Sequence, residues 1–181
     1  MYIAIHDEET TYVGVTNRDK LFGQEEDAVL EENLSLAKGK RGSGIMVFTT
    51  GSSAASDMFL EKAKNLSGEL TAEKMFREIE PMVRECHKFY SQEGKNGVYT
   101  TGVLVASKDA LFEIYGSVVQ SDFISSEKPS VAQCAYLTSE GKPATERILF
   151  IFREIERMNN QSLFPISIYD LRTCKRKIYR K

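Results

Sequence analysis

Two adjacent threonines, Thr10 and Thr11, stand directly before the apolar stretch YVGV (12–15). Inside a chain, a threonine hydroxyl is a poor nucleophile. At a free N-terminus its own α-amine can take the hydroxyl proton, and the residue can then attack an amide carbonyl. Thr10 would reach that state only if the bond after Glu9 were cut. Cys86 and His87 supply a thiol and an imidazole, but neighbours on a helix point about 100° apart and cannot pair. They read as a core cysteine beside a surface histidine. His6, Asp7, Glu8 and Glu9 are metal-ligating types. Consecutive turn residues cannot all face one ion, so the stretch reads as a solvated turn and no metal is expected. KGKRGSG (38–44) has glycines and cations without the phosphate-loop pattern, and reads as a hairpin turn. Ser52, Ser53, Ala54 and Ala55 could admit an anion to a helix N-terminus. An ordinary hydroxyl cap with close strand–helix packing explains them as well. KRKIYRK (175–181) carries five basic residues in seven. It could touch nucleic acid or an acidic partner; a basic edge strand that discourages aggregation is the plainer reading.

The elements that must position these residues follow from periodicity. YIAIH (2–6) and TTYVGVT (10–16) are β-favouring, with Tyr12 and Gly14 alternating against Val13 and Val15, and they read as a hairpin. NLSLA (33–37) is a short strand, and GIMVFTTG (44–51) a buried one ending at Gly51. Met58, Phe59, Ala63 and Leu66 then recur at helical spacing. A second helix starts near Thr71 and places Met75, Phe76, Ile79, Met82, Val83, Cys86 and Phe89 on one face. Pro81 lies inside it and should kink it near residue 77. VYTTGVLVAS (98–107) and ALFEIYG (110–116) are strands about a Lys108–Asp109 turn, and SVAQCAYLTS (130–139) reads as another strand. A third helix follows Gly141, with Pro143 in its first turn and Ile148, Leu149, Ile151, Phe152, Ile155 and Met158 apolar. FPISIYDLRT and KRKIYRK form a closing hairpin. Runs of strands beside runs of helices predict an α+β fold with two antiparallel β-sheets between helical layers.

The 181 residues suit one domain, 1–181, with no repeat or linker. Net charge is −2, which points to neither nucleic acid nor an anionic membrane. The longest strongly apolar run, ILFIF (148–152), is far short of a membrane span, and the N-terminus lacks a signal-peptide layout. Three cysteines without CxxC spacing read as reduced thiols. The expectation is a cytoplasmic protein without cofactor.

The stretch NLSLAKGKRGSGIMVFTTGSSAASDMFLEKA, with the order of elements around it, resembles the N-terminal-nucleophile (Ntn) hydrolases of the proteasome kind. The resemblance covers most of the chain as pattern. It departs near the end, where the family has a further helix before its last strands while Asn159-Asn160-Gln161 leads almost directly to FPISIYD. The family's chemistry uses an N-terminal threonine, an aspartate closing the second strand, a lysine at the third, and a backbone N–H at a glycine turn that holds the oxyanion. Two registers carry these roles onto this chain. In the first, Met1 takes the nucleophile position, Asn17 the aspartate position and Asn33 the lysine position, and none is a catalytic type. In the second, Thr10 is the mature N-terminus, with the aspartate position near Glu26 and the lysine position near Lys40 or Arg41. That register must build its second strand from RDKLFGQEED, which lacks alternation and β-branched residues. The first is preferred. Gly51 keeps its place in either, so the resemblance implies a vestigial cleft of Met1, Asn17, Asn33, Gly51 and Ser52. It implies a non-catalytic, proteasome-subunit-like protein acting by self-assembly or by binding a partner or small ligand. The alternative is an amide or peptide hydrolase activated by cleavage before Thr10. Family members stack as rings through helices and edge strands, so a homo-oligomer is expected, with Phe59 and Phe76 on the helices that resemble the stacking pair.

Overall fold

The computed structural model of the chain describes residues 1–16, 46–50, 58–59, 61–62, 71–93, 102–114, 118–126 and 128–181. The expected strands at 33–37 and the turn at 38–44 lie outside these residues, as do Asn17, Asn33, Gly51 and Ser52.

β1 (Tyr2–His6) and β2 (Thr11–Thr16) form the expected hairpin, with Ile3 opposite Gly14 and His6 opposite Thr11. β3 (Met46–Thr50) begins the second sheet. Residues 58–59 and 61–62 are helical. A helical stretch follows in three pieces: α1 (Ala72–Lys74), a π-helical turn (Met75–Ile79) and α2 (Glu80–Glu93). Thr71 caps it, its hydroxyl accepting the Lys74 N–H at 3.2 Å. The Pro81 kink takes the form of the π turn, in which the Glu80 N–H donates to the Met75 carbonyl, five residues back. In a regular α-helix the Pro81 ring would meet the carbonyl of Arg77.

β4 (Gly102–Ala106) and β5 (Leu111–Ile114) pair about the Lys108–Asp109 turn, where the Ser107 hydroxyl accepts the Ala110 N–H at 3.1 Å. Two three-residue strands that periodicity did not announce come next, β6 (Val118–Gln120) and β7 (Phe123–Ser125). The strand expected at 130–139 is instead a helix, α3 (Pro129–Thr138). Pro129 sits at its first position, where a missing N–H costs nothing. Its buried residues, Ala132 and Ala135, are three apart on one face. The Arg147 guanidinium lies 3.9 Å from the Tyr136 ring centroid and donates to the Tyr136 carbonyl at 3.0 Å, tying α3 to α4 (Ala144–Asn159). β8 (Ile166–Asp170) and β9 (Lys175–Tyr179) close the chain. Two helices thus precede the last strands where the sequence announced one, and Asn159-Asn160-Gln161 leads to β8 with no further helix between.

One sheet has the order β7-β1-β2-β8-β9 and the other β3-β4-β5-β6, and every pairing is antiparallel. Alternation along each strand divides the buried side chains into three layers of contact. Tyr2, Ala4, Val13, Val15 and Tyr169 meet Met46, Leu104, Ala106 and Leu111 between the sheets. Val47, Val103, Val105, Phe112 and Ile114 face Phe59, Met75, Ile79, Val83 and Cys86. Ile3, Ile5, Ile166 and Ile168 face Ala132, Ala135, Ile148, Ile151, Phe152 and Ile155. The result is helix, sheet, sheet, helix. Gly14 lies where α4 comes nearest: a Cβ there would overlap Ile148 Cγ2 and come within 2.8 Å of Phe152 Cε2. Only hydrogen fits.

Candidate functional site: the two ends of the first hairpin

The open end of the hairpin holds Met1. Its carbonyl accepts the Thr16 N–H at 3.1 Å, so Met1 lies beside the end of β2, one residue short of Asn17. The next residue, Tyr2, is held from the other side. Its N–H donates to the Ser126 hydroxyl at 2.9 Å, and its carbonyl accepts the Ser126 N–H at 3.1 Å. The Met1 side chain is buried in the layer between the first sheet and α3–α4, with Ile3 and Ile5. A thioether there can pack but cannot act as an activated nucleophile.

The closed end holds Thr10. β2 begins at Thr11, and Thr10 ends the turn before it rather than opening the strand. Its nitrogen is a peptide amide that donates to Asp7 Oδ1 at 2.9 Å, and its carbonyl accepts the Asp7 N–H at 2.9 Å. Asp7 Oδ1 also takes the Glu9 N–H at 3.0 Å, the local carboxylate bonding that favours aspartate in turns. The Thr10 hydroxyl is buried and finds no hydrogen-bond partner among the described residues. Thr10 therefore has neither a basic amine nor a base against its hydroxyl in this arrangement.

Thr11 Oγ1 lies 2.8 Å from His6 Nδ1, a pairing of hydroxyl and imidazole that sequence order alone did not suggest. The cross-strand register of His6 against Thr11 could have revealed it. Thr11 is fully buried, so the contact fastens the hairpin end and offers no path to a substrate. The surroundings are acidic. Burial, reinforced by Asp170, Asp7 and Glu9, pushes the Tyr12 phenol above its ordinary value, while Arg172 opposes them.

Cys86 is buried against the second sheet, as the core reading expected, and burial pushes its thiol up. Of the two residues on the helices that resemble the stacking pair, Phe59 is fully buried in that same layer and Phe76 is 54% exposed. Phe59 packs between α1–α2 and the sheet, with Met58 partly buried beside it. A groove of about 300 Å³ on α2 is lined by Glu80, Pro81, Arg84, Glu85 and Lys88. All five side chains stand on one helix, so they do not converge on a common point. Among the described residues no helix is long and apolar enough to cross a membrane.

With this geometry in place, comparison with solved structures defines the fold. Anbu (ancestral beta-subunit) from Yersinia bercovieri superposes with a TM-score of 0.62 at 12% identity, covering 100% of this chain and 88% of that one. BPH of Thiobacillus denitrificans, solved in complex with epoxomicin, gives 0.61 at 15% identity over 94% and 98%. HslV from Trypanosoma brucei gives 0.52 at 13% identity over 93% and 97%. The chain has the proteasome-type N-terminal-nucleophile hydrolase fold. No protein-family profile matches the sequence, and no curated relative matches it.

Proposed function

We propose that this chain is a non-catalytic, proteasome-subunit-like protein of the cytoplasm that works by self-assembly into a homo-oligomer, with residues 1–181 acting as one domain. Met1, Asn17, Asn33, Gly51 and Ser52 occupy the positions of a vestigial cleft, able to receive a small ligand or a partner's segment without turning it over. No cofactor is needed for such a role.

The observation that carries this reading is the place of β1. Cleavage before Thr10 would remove Tyr2–His6, which lies between β7 and β2 in the first sheet. Met1, Tyr2, Ile3, Ala4 and Ile5 are all buried, on both faces of that sheet. Full burial of one large apolar side chain stabilises by about 1.5–3 kcal/mol. Losing several at once would consume much of the roughly 5–15 kcal/mol that holds a domain together. The description of the Yersinia protein as an ancestral β-subunit supports assembly.

The experiment is the intact mass and activity of wild type beside Thr10→Val, which keeps the shape and removes the unpartnered hydroxyl. The expected species begins at Met1 in both, and the melting temperature of the variant is equal or higher. A wild-type species beginning at Thr10, with an amidase activity that the variant loses while staying folded, would overturn the reading. Sedimentation is expected to give an assembly; a monomer at all micromolar concentrations would remove the oligomer.

A further inference from the structure

β9 borders the five-stranded sheet, and no described strand pairs with its outer edge. Lys175, Arg176, Lys177 and Ile178 are exposed along it. An open edge keeps a row of backbone N–H and C=O groups available for another strand. Charged side chains, lysine above all, deter accidental pairing at an edge, and here the ten residues from Arg172 to Lys181 hold six cations and no acid. The whole chain is −2, so the residues before Arg172 sum to −8. Residues 172–181 thus carry a net positive charge in an otherwise acidic protein, with Lys175, Arg176 and Lys177 on β9 itself.

The strand also has two unlike faces. Lys175, Lys177 and Tyr179 stand opposite Asp170, Ile168 and Ile166 on the side of α4, where the Lys177 ammonium lies 5.0 Å from the Tyr179 ring centroid. Arg176 and Ile178 stand opposite Tyr169 and Ser167 on the other side, where Ile178 is 45% exposed. Part of the charge is engaged within the fold: Arg172 meets Glu9, Lys181 meets Glu156, and Arg176 donates to the Ser167 hydroxyl.

We propose that the open edge of β9 receives an extended acidic segment of a partner protein as an added strand. Backbone pairing supplies the attachment, and side-chain alternation supplies the selection. Carboxylates at alternate positions of the guest meet Lys175 and Lys177, and the apolar residue one position beyond the partner of Lys177 covers Ile178. The recognised sequence is therefore acid–apolar alternation rather than a plain acidic run. This site goes beyond the assembly reading and does not depend on it, since it needs neither a ring nor a nucleophile.

The probe is a fluorescein-labelled peptide of alternating glutamate and valine, titrated with the full chain at low salt and followed by anisotropy. Saturable binding is expected, weakened by added salt and by at least about tenfold in Lys175→Glu/Lys177→Glu. Two further peptides carry N-methyl groups on the odd or the even amides. Only alternate amides face the host strand, so one peptide should lose about tenfold or more and the other should bind like the parent. This arm needs no protein variant. Absence of saturation, equal binding of both methylated peptides, or stronger binding of single-stranded oligothymidine than of the peptide overturns the proposal.

Discussion

Replacing Gly14 with alanine tests the packing of α4 on the first sheet directly. The added methyl would overlap Ile148 Cγ2 and approach Phe152 Cε2 to 2.8 Å. Neither atom is the loose end of a flexible chain. One is a branch at Cβ and the other belongs to a buried ring, so the helix itself must lift. Inserting a methyl into a packed core costs about 1–3 kcal/mol. Reduced freedom of the unfolded chain returns about 0.4–1 kcal/mol. The net loss is on the order of 1–2 kcal/mol, and for a chain of this size each kcal/mol moves the melting temperature by about 2–4 °C. Gly14→Ala should therefore melt about 2–8 °C lower. Calorimetry on a double-mutant cycle with Ile148→Ala sharpens the test. Removing Cγ2 empties the space the methyl needs, so the double variant should be more stable than the sum of the singles by about 1 kcal/mol. A Gly14→Ala variant as stable as wild type, with no coupling to position 148, would show that α4 is not seated on β2 as described.

Burial holds the Glu113 carboxyl above its ordinary value. The folded state therefore keeps that proton to higher pH than the unfolded chain does, and its contribution to stability is full below the ordinary glutamate range and fades as pH rises through the raised value. Glu113→Gln should gain on wild type as pH rises across that window in denaturation series; a pH-independent difference would refute this. Glu156 behaves oppositely. Its bond to the Lys181 ammonium, helped by Ser162 and the Leu163 N–H, outweighs burial and lowers its carboxyl. Its contribution is present above the ordinary glutamate range and is lost as pH falls through the lowered value, so the deficit of Glu156→Gln should vanish in acid. Cys134 and Cys174 are exposed while Cys86 is buried, so two thiols should react quickly with an aromatic disulfide reagent and the third only on unfolding. Three fast thiols would place Cys86 outside the core.

What the sequence made legible was whatever rested on strong local period. The alternation of Val13 and Val15 against Tyr12 and Gly14 announced β2 and its two faces. The same is true of the β4–β5 hairpin, of β8–β9 and of the Ile148–Ile155 face of α4. Residues 130–139 misled because alanine contributes little apolar signal. Ala132 and Ala135 are buried by close approach to α4, a tertiary fact, while the order Ala-Gln-Cys-Ala-Tyr imitates alternation. β6 and β7, at three residues each, are too short for any period to appear. At the candidate site, the pairing of Met1 with the end of β2 followed from the preferred register. The burial of the Thr10 hydroxyl and the His6–Thr11 contact did not, because both depend on which groups meet across the turn. Pro81 foretold a break but not its form.

That form has a consequence for how this helix can vary among descendants of the gene. A π turn is one residue inserted into an α-helix, absorbed without unravelling either side. Here the insertion lies directly before the proline that makes it useful. Deleting one residue from Met75–Ile79 alone would restore the regular ladder and press the Pro81 ring against a carbonyl. Replacing Pro81 alone would leave a widened turn with nothing to accommodate. Each change is harmful or idle by itself, and the two together are silent. Insertion and proline should therefore be inherited as a pair, gained together and lost together.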